Sequence, residues 1–304
     1  MAVNEGGTAM ISTVGTTPSA VNVSGWRQDD RLRPGKQVFA IGYVHGRPME
    51  LDTLLQGMAS QSRGGHLVLL GDIIDRGPDS AGAIAVVNQW FNPAGIQPFA
   101  ETTLLIGNHD LFYLTATAHA DEIETNAGLE AMFVWDQNGG GWLLDGIGPD
   151  DLACIRSKLI KGIGLQAVKT YEAAHTHIEL GNLLLVHAGL RPDCSVDEMF
   201  SSEKLDIFWN KGGENWHWAW IRWPFLQHEG PFEGERFVIH GHTPEAAVMR
   251  WKGRDPNPLH CIDGWRLGLD GSGGTHPTIT GAEIVDGRYR IFTVPILTPG
   301  HENE

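Results

Sequence analysis

The chain has 304 residues, 41% of them hydrophobic, and a formal net charge of −15 from 22 basic and 37 acidic side chains. That is enough apolar material for a large core, and the acidic balance argues against a nucleic-acid or anionic-membrane partner, whose phosphates such a field repels. No apolar run approaches the roughly 18 to 20 residues that span a bilayer, and MAVNEGGTAM lacks the basic start and apolar stretch of a secretory leader, so a cytoplasmic globular protein is expected.

Residues 1–35 are rich in Gly, Ser, Thr and Pro without a sustained period, which predicts a flexible or loosely docked N-terminal arm ahead of one domain over residues 36–304. From Lys36 onward, runs of branched and aromatic residues ended by glycine alternate with helical stretches. The strand QVFAIG is followed by the helix MELDTLLQGMA. HLVLLG is followed by SAGAIAVVNQW, with Ser80 as the expected N-cap, and TTLLIG by DLFYLTATAHA. The later runs LLLVHAG and RFVIHGH read as two more buried strands. Between them WNKGGENWHWAWIRW places five tryptophans in fifteen residues, expected to pack as a lid or a core wall. Cys154, Cys194 and Cys261 are too few and too scattered for a disulfide framework or a zinc knuckle and read as reduced thiols. The alternation is that of an α/β protein, in which functional loops sit at the carboxyl ends of strands.

Each of the five strand-like runs ends in polar residues of one chemical kind. In order they are His45 in GYVHG; Asp72, Asp75 and Arg76 in GDIIDRG; Asn108, His109 and Asp110 in GNHD; His187 in HAG; and His242 in GHTP. A lone His or Asp after a strand is usually a cap or turn former. Five such endings converge on one face if the strands are parallel. Imidazole, carboxylate and amide oxygen form the mixed donor set of Mn²⁺, Fe or Zn²⁺, and paired cations of that kind polarise a phosphoryl group and acidify water. Arg76 offers a planar fork for phosphate oxygens. His175 and His177 in AAHTHIEL alternate as on a strand face and are read as structural.

The series GYVHG, GDIIDRG, GNHD, HAG, GHTP resembles the calcineurin-like metallophosphoesterases, and within them the bacterial branch of the phosphoprotein phosphatases. The resemblance implies a sandwich of two mixed β-sheets flanked by helices and two divalent metal ions. His45 and Asp72 would hold the first, with Asp72 bridging to the second, which Asn108, His187 and His242 complete. It implies His109 as the catalytic acid, Asp75 as the carboxylate that orients it, and Arg76 and Arg222 as phosphate clamps. The implied reaction is in-line attack by metal-held hydroxide on a phosphomonoester, carried by a phosphorylated protein or peptide. A dinucleoside polyphosphate or other small phosphoester is the alternative substrate. The segment LGLDGSGGTHPTITGAEI matches the family only loosely where it has an Asp-Thr-Gly turn.

One position departs from the family. Tyr43 stands where the first motif has an aspartate. Three outcomes follow: a weakened or singly occupied first site, a tyrosinate ligand on a hard ferric ion, or a phosphate-binding module that is not an enzyme.

Overall fold

The computed structural model describes residues 20–92, 98–118, 132–141, 155–201, 216–254, 261–273 and 276–296. The chain begins with two short strands, β1 (Asn22–Val23) and β2 (Arg27–Gln28), followed by β3 (Val38–Gly42), β4 (His66–Leu69) and β5 (Glu101–Leu104). After them come β6 (His177–Leu180), β7 (Leu183–Val186), β8 (Phe237–His240), β9 (Cys261–Asp263), β10 (Arg266–Gly268), β11 (Thr278–Val285) and β12 (Arg288–Pro295). They form a seven-stranded sheet of order β1-β12-β11-β3-β4-β5, with β2 also on β12, and a five-stranded sheet of order β6-β7-β8-β10-β9. Both are mixed. β3, β4 and β5 run parallel to one another, as do β7, β8 and β10.

The continuous apolar runs are explained by burial on both strand faces. Val38, Ala40, Val68 and Leu70 of one sheet cluster with Leu183, Leu185, Phe237 and Ile239 of the other, so they fill the space between the sheets. The alternating residues Phe39, Ile41, Leu67, Leu69, Leu184 and Val186 belong to a second cluster, beneath the helices. Each such side chain contributes about 1.5 to 3 kcal/mol when fully buried.

Helix α1 (Pro48–Ala59) starts with proline in its first turn and buries Leu51, Leu54, Leu55 and Met58 on one stripe. α2 (Ser80–Trp90) is capped by Asp79, whose carboxylate accepts from the Gly82 amide. The expected cap, Ser80, lies inside the helix because its hydroxyl accepts the Asp75 amide at 3.0 Å, which fixes the functional loop instead. α3 (Asn108–Ala118), α4 (Ile155–Ile163), α5 (Leu165–Ala173), α6 (Val196–Met199) and α7 (Glu245–Trp251) complete the described α-helices.

Two expectations need adjustment here. Residues 20–35 of the supposed arm are docked: β1 and β2 pair with β12, and Leu32 is fully buried between the sheets. Residues 1–19 lie outside the described part. In the tryptophan-rich segment, Trp218 and Trp220 form a core wall against Phe200 and Phe112, whereas Trp216 is 52% exposed and Trp209 lies outside the described residues. No helix among the described residues is long and apolar enough to cross a membrane.

Candidate metal centre

The loops after β3, β4, β5, β7 and β8 meet at the carboxyl ends of the parallel strands, where the sequence placed its polar endings. Their backbones are tied together: His45 N donates to Asp72 O at 2.8 Å, Gly46 N to Ile73 O at 2.7 Å, and Gly241 N to His187 O at 2.8 Å. Among the described residues seven non-glycines have positive φ, and six of them stand in these loops: Tyr43, His45, Asp72, Asp75, Arg76 and His242. Such conformations cost about 1 to 3 kcal/mol each and persist where the surroundings over-determine them. Gly107 is required at the centre, since a Cβ there would stand 2.2 Å from Asp72 Oδ1.

The side chains form two groups that share Asp72. His45, Asp72 and His109 make one and Asp72, His187 and His242 the other, with the ligand atoms of each within 4.8 Å of one another. The Nδ1–H of His45 donates to the Ile74 carbonyl and that of His187 to the Leu70 carbonyl, each at 2.7 Å. These bonds leave the Nε2 lone pairs facing inward, and both nitrogens lie 3.4 Å from Asp72 Oδ2. Asn108 Oδ1 adds another acceptor, 3.1 Å from His187 Nε2 and 3.0 Å from His242 Nδ1. Acceptors crowded this closely repel unless a proton or a cation lies between them. Buried Nε2 atoms of His109 and His242 also lack a hydrogen-bond partner among the described residues. The set of imidazole, carboxylate and amide oxygen, with carbonyls fixing the ring tautomers, fits two divalent cations.

Electrostatics agree with that charge pattern. Burial opposes the charge of Asp72, but the rings of His187 and His109 outweigh it and hold the carboxyl well below its usual range. Burial also opposes charge on His187, which Asp72 nevertheless pulls above an ordinary histidine. His242 lies well below one, because of burial first and then the charges of His187 and Arg222.

His109 is held from the other side. Its Nδ1 lies 2.7 Å from Asp75 Oδ2, and its amide donates to Asp72 Oδ1 at 3.1 Å from the first turn of α3. Arg222 is half-buried, and its charge acts on His242. Arg76 is exposed, and its charge acts on Tyr43. The Tyr43 ring stacks edge-on to His45 with centroids 4.7 Å apart. Burial and then Asp270 push its phenol above the usual range.

Two contributors carried no assignment from sequence. Asp110, quoted within GNHD, is fully buried and binds the backbone of the site: Oδ2 accepts from Asp72 N at 2.7 Å and Gly107 N at 3.0 Å, and Oδ1 from Ile73 N at 2.9 Å. Burial and then Asp72 raise its carboxyl to about 6. Trp135 is also fully buried, and its Nε1 donates to Asp75 Oδ2 at 2.7 Å. The π-helical turn Asp136–Gly140 follows it, and a Cβ on Gly140 would overlap the indole at 2.2 Å. The run of three glycines in WDQNGGG was the available signal.

Residues 37–258 match the model of the calcineurin-like phosphoesterase family, and the chain belongs to that family. The symmetrical bis(5'-nucleosyl)-tetraphosphatase of Nitrosospira multiformis is 27% identical over 161 residues, covering 53% of this chain and 46% of that protein. Serine/threonine-protein phosphatase 1 of Salmonella typhimurium is 30% identical over 108 residues, covering 35% of this chain and 40% of that protein. The chain thus spans less than half the length of each of these curated relatives. A cold-active protein-tyrosine phosphatase of a psychrophilic Shewanella species, solved as a crystal structure, is similar at 18% identity and a TM-score of 0.46, over 84% of this chain and 79% of that one.

Proposed function

We propose that this protein is a metal-dependent phosphoric monoester hydrolase whose substrate is a phosphorylated protein or peptide. The observation that carries the reading is the pair of inward-facing acceptor groups that share Asp72. His45, Asp72 and Asn108 with His187 and His242 would hold two divalent cations such as Mn²⁺, Fe or Zn²⁺. Bound there, the cations would polarise a phosphoryl oxygen and acidify water.

The chain's own residues do the rest. Arg76 and Arg222 clamp the phosphoryl group's oxygens with their planar forks and set its orientation. His109 presents Nε2 to the site and passes a proton to the leaving oxygen, while Asp75 on Nδ1 fixes the tautomer and steadies the charged ring. Tyr43 stands edge-on to the His45 ring, with centroids 4.7 Å apart, at the first cation group.

A protein substrate suits the acidic chain better than a highly charged nucleotide does. The match to a symmetrical tetraphosphatase, extending over 161 residues, supports dinucleoside polyphosphate hydrolysis as a second reading. The test is hydrolysis of an aryl phosphate, a phosphopeptide and a dinucleoside tetraphosphate with added Mn²⁺, beside a His109→Ala control. Turnover of the first two supports the proposal and turnover of the third alone supports the second reading. No turnover above the control makes the protein a phosphate-binding module.

A further inference from the structure

The turn that begins at Trp135 touches two successive residues of the loop after β4. Trp135 Nε1 donates to Asp75 Oδ2 at 2.7 Å. Further along the turn Gly139 faces Arg76, and a Cβ placed on it would stand 3.3 Å from Arg76 Cγ, tighter than the roughly 3.5 to 4.0 Å of ordinary carbon contact. The arginine stem therefore lies against bare glycine backbone.

The residue types of the turn account for that approach. Asn138 Nδ2 donates to the Val134 carbonyl at 2.7 Å and closes the turn on itself. Gly139 has φ 103° and ψ 12°, a left-handed conformation that glycine adopts freely and a side chain resists. A single π turn within a helical stretch is a recurrent feature of functional sites. On the facing loop the backbone of Arg76 is already fixed: Asp75 and Arg76 have φ of 71° and 59°, the Ser80 hydroxyl accepts the Asp75 amide at 3.0 Å, and the Gly77 amide donates to the Asp75 carbonyl at 2.6 Å. What remains free in this exposed arginine is its long side chain, whose rotamer freedom is lost when it holds an anion.

We propose that Gly139 is a positioning residue for Arg76: its bare backbone lets the stem lie along the π turn, so that the guanidinium is preorganised for a phosphoryl group. The proposal rests on the reading of Arg76 as a phosphate clamp. Because Trp135 anchors the same turn on Asp75, one short element sets both the clamp and the carboxylate that orients His109.

The test is calorimetric binding of inorganic phosphate to the Mn²⁺-loaded full chain, freed of excess cation, in the wild type, Arg76→Ala, Gly139→Ala and the double variant. Arg76→Ala is expected to weaken phosphate about tenfold, as loss of a charged donor fork should, and Gly139→Ala about fivefold through the displaced stem. The double variant is expected to bind no more weakly than Arg76→Ala, because Gly139 acts through the arginine. Gly139→Asn, whose side chain tolerates left-handed backbone, gives the same comparison if the alanine variant does not fold. A Gly139 variant that binds phosphate like the wild type overturns the proposal. So does a double variant in which the two losses multiply, the mark of a disturbance that bypasses Arg76; in both cases the clamp reading stands. Phosphate binding indifferent to Arg76→Ala removes the clamp, and this proposal with it.

Discussion

His109 Nδ1 and Asp75 Oδ2 are 2.7 Å apart, and neither side chain has exposed surface. Trp135 Nε1 donates to the same oxygen, so one carboxylate atom serves the imidazole and the indole together. Trp135→Phe removes only the indole donor and keeps a large ring in the core. A hydrogen bond to a charged group is worth about 1.5 to 3 kcal/mol, so kcat should fall roughly tenfold or more with little change in KM. Freed of one donor, Asp75 binds His109 more strongly, and the alkaline limb of the pH profile should move upward. Equal losses in kcat and thermal stability with an unmoved limb would reduce Trp135 to packing alone.

His109 is close enough to His45 and Asp72 to be a ligand as well as an acid. Substituting glutamine separates these roles. If His109 is the acid, kcat falls by about 10² to 10⁴ while metal analysis still finds two equivalents per chain. Loss of one equivalent would make the ring a ligand.

Removing the cations should destabilise the fold, because acceptors now facing one another would be left without their counter-charge. Binding to the folded state alone contributes about 2.7 kcal/mol at a free concentration one hundred times Kd. Chelation should therefore lower the melting midpoint by several degrees, and Mn²⁺ should restore it. A midpoint indifferent to both would contradict a two-cation site.

Two buried histidines outside the candidate ligand set give the stability an acid limb. Burial lowers His217 from 6.5 to about 4, and burial followed by Arg266 lowers His240 from 6.5 to about 3. Each ring is neutral in the fold and takes up a proton near 6.5 when unfolded. Its contribution is complete above 6.5 and drains away as pH falls toward the folded value, at about 1.4 kcal/mol per pH unit per ring. Urea melts between pH 7 and 4 should show this slope, and His217→Gln should make it shallower between 6.5 and 4. An equal slope in the variant would remove His217 from the account.

The strands and their endings were legible because both are local patterns: branched residues stopped by glycine, then a ligand type. The same pattern placed His45, Asp72, Asn108, His109, His187 and His242 in loops that the fold brings together. Docking of residues 20–35 was not legible, since β1 and β2 have two residues each and carry no period, and their partner β12 lies at the far end of the chain. Ser80 was misread as a cap because sequence shows a hydroxyl at a helix start but not the Asp75 amide that claims it. Trp135 lies 60 residues from Asp75, and a hydrogen bond across that separation leaves no trace in spacing.

The candidate ligands are divided between the two halves of the sandwich. His45, Asp72 and Asn108 come from the ends of β3, β4 and β5 in one sheet, and His187 and His242 from β7 and β8 in the other, with the His187 ring already bonded across to Leu70 O. A cation held at Asp72 would therefore act as a rivet through both sheets at the edge where these ligands meet. Opening that edge would require breaking coordination, so the sheets would open as a single cooperative unit in the loaded protein and as two separable layers in the stripped one.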